Sequence, residues 1–384
     1  MKISRRGIMQ SAALTGVAAI TPPVNAATMP GPRFEGKDTP KICLAVGDGG
    51  AVPQGTPDEM AAAQSRRLRQ LGVEHAITGM GQPPWQEETL RGLLDRYKKN
   101  GVTVANIMIS GFDRAIYNRP GKDEDIEKII QSIQVAGKCG LPVIEYNWYA
   151  HRAMEGYFAE EGRAGSGWTG FDYDREVESD GKKVKFRDLP ALEREGAHTL
   201  DEMWTSIAYF LKAVVPAAEK AGVRLALHPN DPPAPVSRKS QQIMGTVDGW
   251  KKLISIVNSP SNGITFDCGV TREMGQDPVE VCRYFASRDR INHVHFRNVK
   301  VQRPYERYSE VWIDEGENNL FAVMRELVHA KYTRLMYPEH PRGIDYDRER
   351  PNFRSQYPGG GSYAAYAFNV GYTRAMMQAA LTVG

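Results

Sequence analysis

Four residues able to bind a metal stand at or near the ends of four consecutive apolar runs. His228 closes 224–228, Cys268 closes 263–268, His295 lies in 291–296, and Glu339 closes 334–339. Together they offer two imidazoles, a thiolate and a carboxylate. Such a mixed nitrogen, sulfur and oxygen set suits Zn2+, Fe2+, Mn2+ or Co2+ better than Mg2+ or Ca2+. Taken singly, each has a plainer role: a hydrogen-bonded histidine, a buried thiol, a carboxylate paired with arginine. Residues two apart on a strand share a face. Ala226 with His228, Phe266 with Cys268, His293 with His295, and Tyr337 with Glu339 therefore point the same way, and the coincidence at four strand ends points to one divalent centre. Asp267 and His293 are reserve ligands should the register differ by one or two residues.

Other groups surround this set. Arg297 shares the face of His295 and could clamp a carboxylate bidentately, or simply form a surface salt bridge. His340 should face away from Glu339 unless the strand has already ended, in which case it could support a ligand or move a proton. Tyr357, in a glycine-rich loop, could donate a proton. Tyr146 and Asn147 close the fourth run and could contact polyol hydroxyls, although packing explains them equally well.

These residues need a scaffold that brings strand ends together. Short β-branched runs at 42–46, 74–78, 103–109 and 142–146 precede the four already named, and amphipathic stretches follow them. Eight strands alternating with helices predict a parallel α/β architecture, a closed (β/α)₈ TIM barrel whose catalytic groups sit at the C-terminal strand ends. An open doubly wound sheet is the alternative, but Gly47, Gly49, Gly50 and Gly55 lack the spacing of a dinucleotide loop. Thr56-Pro57 reads as a helix start, and Gly72, Gly101, Gly140 and Gly222 as helix stops. Pro216 predicts a kink or break in its helix. Residues about 151–199 form an insertion after strand four, too long for an ordinary loop and placed to cover the barrel mouth. Extensions at 300–318 and 342–361 follow strands seven and eight.

The charge distribution separates the chain into two parts. All of the excess of 49 Lys+Arg over 46 Asp+Glu in these 384 residues is carried by Lys2, Arg5 and Arg6 within residues 1–26. That segment has paired arginines, an apolar stretch too short for a membrane span, and small residues around Ala26. It reads as a twin-arginine signal peptide handing the protein to the export machinery, with a single barrel over 27–384 acting in the periplasm. The balanced body gives no case for nucleic acid or for stable membrane insertion. Cys43, Cys139 and Cys282 read as buried thiols rather than a disulfide framework. The outer helices could pack against a second subunit as a homo-oligomer.

The second half of the chain resembles the mannonate dehydratase family. The resemblance is carried by 211–224 running into His228-Pro229-Asn230-Asp231-Pro232-Pro233, then by 258–269, 290–297 and Pro338-Glu339-His340. It implies a barrel related to the xylose isomerase-like enzymes and a divalent metal, Mn2+ or Fe2+. The matching ligands are His228, Cys268, His295 and Glu339, the last replacing an aspartate, and the family's catalytic tyrosine falls on Tyr357. The implied activity is dehydration of a sugar acid, by default D-mannonate to 2-keto-3-deoxy-D-gluconate; on the reading of the residues above, Arg297 would hold the carboxylate and Tyr357 or His340 would move protons. Segments 79–85, 106–110 and 359–362 depart from the family, so the substrate side diverges more than the metal side. Two other readings are an isomerase, epimerase or lyase of the xylose isomerase-like group acting on a neutral or oxidised sugar, and a periplasmic sugar-binding protein.

Overall fold

Runs apolar on both faces cannot face water, so they form a parallel sheet only where helices cover one side and the sheet closes on the other. In the computed structural model, which describes residues 35–351 and 353–383, this closure is complete. Lys41–Ala45, His75–Gly79, Thr103–Ile109, Val143–Tyr146, Arg224–Leu227, Asn262–Asp267, Ile291–His295 and Leu335–Tyr337 pair in sequence order, and the last pairs with the first. Every ladder between them is parallel. The open-sheet alternative is thereby excluded. Residues 1–26, with the signal-peptide reading and Ala26, lie outside the described residues.

The helices begin and end as their residues dictate. Thr56 and Thr199 each accept from the backbone N–H three residues on, and Glu59 and Glu202 return the bond. These reciprocal bonds satisfy donors that a helix start leaves free. Gly140 and Gly222 close their helices at φ 75° and 68°, where a side chain would be strained. Pro216 does not break its helix, which runs from Leu200 to Ala221. Val214, Val215 and Ala218 are fully buried on either side of it, so packing outweighs the lost hydrogen bond. No helix among the described residues is long and apolar enough to cross a membrane.

The insertions do not remain loops. Tyr157–Glu161 and Gly167–Asp172, from the segment after strand four, join Val299–Arg303 and Arg307–Glu310, from the segment after strand seven, in one antiparallel sheet. The join is the ladder from Arg307 opposite Asp172 to Glu310 opposite Thr169. Beneath it lies a second apolar cluster, separate from the barrel core, built on Tyr157, Phe171, Phe186, Tyr308 and Tyr357. Phe171 stacks on Tyr308 with ring centroids 5.0 Å apart. Aromatic contacts of this kind add about 0.5–1.5 kcal/mol beyond area burial.

Candidate active site

Side chains alternate along a strand, and in this barrel the inner set carries the polar groups. Glu145 on strand four accepts from Thr265 Oγ1 at 2.7 Å and from Asn106 Nδ2 at 3.0 Å, which places all three inside. Asp267 pairs directly with His295 on the next strand. His228 Nε2 lies 3.1 Å from His295 Nδ1. The same His295 nitrogen is 3.1 Å from Glu339 Oε1 and 3.7 Å from Asp267 Oδ2. Two imidazoles and two carboxylates thus converge on one point, and all four residues are buried. Among the described residues, Asp267, His295 and Glu339 form one group with metal-ligand spacing, and Glu145, His228 and His295 another.

The tautomer of His228 fits a metal ligand. Its Nδ1 lies 2.7 Å from the Pro229 carbonyl, an acceptor only, so that nitrogen carries the hydrogen and Nε2 presents its lone pair. Burial and the neighbouring His295 hold its pKa below the usual value, so the ring is neutral. His295 goes the other way: burial lowers its pKa, but Glu339, Asp267 and Glu145 outweigh that and raise it well above the ordinary range. Burial pushes the Glu145, Asp267 and Glu339 carboxyls up. The surrounding imidazoles, with Arg297 beside the last two, more than offset it and keep all three ionised. A pocket whose carboxylates hold surplus protons on histidine has the donor chemistry to receive a divalent cation.

Three expectations are corrected. Cys268 is fully buried and belongs to the packing between strand and helices. Strand six ends at Asp267, whose Oδ1 accepts from Val270 N at 2.8 Å and caps the helix Cys268–Glu273. The thiol therefore opens that helix on the outer face, and the aspartate before it takes the inner position. Arg297 is engaged by the protein itself. It is 2% exposed, with Nη1 2.6 Å from Glu273, Nε 3.2 Å from both Asp267 and Glu339, and Nη2 3.4 Å from Asp231. Every arm of the guanidinium meets a protein carboxylate. Tyr146 points outward, tilted against Phe112 and Phe210, whereas Asn147 lines the mouth.

The remaining candidates meet at a cavity of about 420 Å³ above the convergent ligands. Strand eight ends at Tyr337, and His340 has φ 49°, which turns its ring back into the mouth. Its Nδ1 is 2.8 Å from Glu310 Oε2 and its ring centroid 4.3 Å from that of Tyr357. Burial raises the Glu310 carboxyl, but His340, Arg297 and Arg342 outweigh it and hold it at about 2. Tyr357 lines the cavity and receives a 2.6 Å hydrogen bond from Arg152 Nη2. Burial pushes its phenol up, so it keeps its proton.

The sequence reading missed Glu145, Arg152, Asp231 and Glu310. Glu145 left a usable signal, as the lone charge in the apolar run Pro142-Val143-Ile144-Glu145-Tyr146, two residues before Asn147. Arg152 and Glu310 sit on the insertions, where no barrel periodicity applies.

Comparison with known proteins finds relatives over most of the chain. The mannonate dehydratase of Thermotoga petrophila is 26% identical over 328 residues, covering 75% of this chain and 88% of that protein. That of Streptococcus equi subsp. zooepidemicus is 28% identical over 293 residues, 71% and 80% respectively. The crystal structure of mannonate dehydratase from Streptococcus suis superposes with a TM-score of 0.73 at 22% identity, covering 90% of this chain and 95% of that one. A xylose isomerase-like TIM barrel protein from Mycobacterium smegmatis shares the fold at a TM-score of 0.57 and 15% identity, covering 91% of this chain and all of that one. A sequence model describing D-mannonate dehydratase (UxuA) matches residues 58–380, and the chain belongs to that family.

Proposed function

We propose that this protein is a metal-dependent hydro-lyase that converts D-mannonate to 2-keto-3-deoxy-D-gluconate. The observation that carries the reading is the convergence of His228 Nε2, His295 Nδ1, Asp267 and Glu339 beneath a cavity walled by His340 and Tyr357. Those four residues would hold the metal, with Mn2+ or Fe2+ the expected ion. Glu145, 3.6 Å from the opposite nitrogen of His295, would orient that ring. A bound divalent cation polarises the substrate's oxygens and offsets the charge that builds as the α proton leaves.

The chain's own groups supply the proton transfers. With Glu310 accepting from His340 Nδ1, the neutral ring would present the lone pair of Nε2, which lies 3.5 Å from Glu339 Oε2, to take the C2 proton. The C3–O bond breaks as Tyr357 gives its phenolic proton to the departing hydroxyl, and water leaves. The resulting enol becomes the 2-keto acid as C3 gains a proton and the enol oxygen loses one. Incubating metal-loaded protein with a panel of aldonic acids, aldoses and ketoses tests the reading. A 2-keto-3-deoxy product from mannonate supports it. Isomerised sugar with no dehydration would establish the second reading, a xylose isomerase-like action on a neutral sugar, which the engagement of Arg297 by protein carboxylates favours. Residues 1–26 are read as a cleaved export signal. Periplasmic material retaining Met1 would overturn that part.

A further inference from the structure

A sugar acid needs a cation for its carboxylate, and the two buried arginines nearest the ligands are fully engaged. Arg297 is tied to protein carboxylates, as described. Arg342 is 1% exposed and gives Nε to the His340 carbonyl, Nη1 to Thr169 and Nη2 to Glu310.

Arg152 differs from both. It rises from the segment after strand four and lines the cavity, with its side chain 30% exposed. Nε donates to the Asp231 carbonyl at 2.9 Å, and Nη2 lies 3.3 Å from Asp231 Oδ2 and 2.6 Å from the Tyr357 hydroxyl. Those bonds fix the plane of the guanidinium and leave Nη1 without a protein partner among the described residues. The bond to Tyr357 has a second effect. The phenol oxygen accepts from Arg152, so its own hydrogen is free to point elsewhere.

We infer that Arg152 is the specificity residue for the anionic end of the substrate: Nη1 binds the carboxylate while Nη2 holds Tyr357 with its proton aimed at the β-hydroxyl. The donor for the carboxylate and the donor for the β-hydroxyl are thus coupled through one guanidinium, which offers Nη1 on one side and holds Tyr357 through Nη2 on the other. The site would therefore select β-hydroxy acids over the corresponding neutral sugars. This inference rests on the sugar-acid reading above, and its test is a binding measurement so that the two can fail separately.

The experiment titrates D-mannonate by calorimetry into the Mn2+-loaded wild-type and Arg152→Met proteins, each carrying His340→Gln to block turnover, with Mn2+ affinity measured on the same proteins. The expected result is about 10- to 100-fold weaker mannonate binding, the range of a charged hydrogen bond, with Mn2+ affinity within threefold of wild type. Less than tenfold weakening, or an equal loss of Mn2+ affinity, would overturn the inference. Should the methionine variant not fold, Arg152→Lys serves with the same tenfold criterion, because one ammonium cannot span Asp231, Tyr357 and a ligand. If wild type binds mannonate in an Arg152-dependent way yet releases no product, the dehydratase reading falls and this assignment stands.

Discussion

Replacing Asp267 by asparagine should strip the centre of its metal, whereas replacing Cys268 by alanine should leave it loaded. Asparagine is nearly isosteric, so Oδ1 can still cap the helix at Val270 N, 2.8 Å away, and the change isolates the charge. That charge faces His295 Nδ1 at 3.7 Å and Arg297 Nε at 3.2 Å. Groups that only orient a ligand typically contribute 10- to 100-fold to metal affinity, so losing a direct anionic ligand should cost more than about 100-fold, or roughly 2.7 kcal/mol. Cys268 faces the helix layer, and its sulfur is lost to packing alone. The cost there is about 1 kcal/mol of stability, comparable to deleting one buried methyl-sized group. Calorimetric titration of chelator-treated protein with Mn2+, alongside thermal melts, reads both quantities. If Cys268→Ala loses Mn2+ affinity as far as Asp267→Asn does, the assignment of inner and outer faces on strand six is wrong.

Arg297→Met should act on stability before it acts on substrate. Removing a cation held by buried carboxylates costs about 3–5 kcal/mol and lowers the Tm by several degrees, while a carboxylate clamp would show mainly as a raised KM in a protein of unchanged Tm. Tyr357→Phe keeps the ring against His340 but removes the proton donor. It should lower kcat about 10²- to 10⁴-fold, and a kcat within threefold of wild type would remove Tyr357 from the chemistry. Asp48 gives a pH signature. It accepts from Tyr337 Oη at 2.8 Å, and burial raises its carboxyl from 3.8 to about 7. Its folded pKa lies above the unfolded one, so the folded state binds the extra proton between those values, and this group's contribution to stability falls as pH rises from about 4 to 7. Asp48→Asn should flatten the melting profile over that window, and an unchanged slope would contradict the assignment.

The barrel was legible because strands buried on both faces leave long apolar runs, and eight of them alternate with helices that carry their own start and stop residues. The mouth was legible where it lies on those strands. His228, His295 and Glu339 close apolar runs, and their inward direction follows from alternation alone. Strand six misled because two cues disagreed. The set Ile264, Phe266 and Cys268 ends in the residue most prized by metals, while Thr265 and Asp267 form the polar set that a barrel interior requires. Burial on both sides of the strand decided for polarity, and the thiol followed its apolar neighbours outward. Arg297 misled for another reason: face and charge were read correctly, but the carboxylates that consume it come from Asp231, Glu273 and Glu310 as well as Asp267 and Glu339, and only the fold brings them together. Arg152 and Glu310 could not be found by period, since their positions depend on two insertions pairing with one another.

That pairing limits how this mouth can be altered. Each insertion contributes two of the four strands in the covering sheet, and isolated two-stranded ribbons are marginal in water. Arg152 leads into one half, and Glu310 ends a strand of the other. A transplant of the segment after strand four into another barrel would arrive as half a sheet with an exposed edge, whatever residues it carried. The modular unit for redesign or recombination is both insertions at once, so the two travel as a pair or not at all.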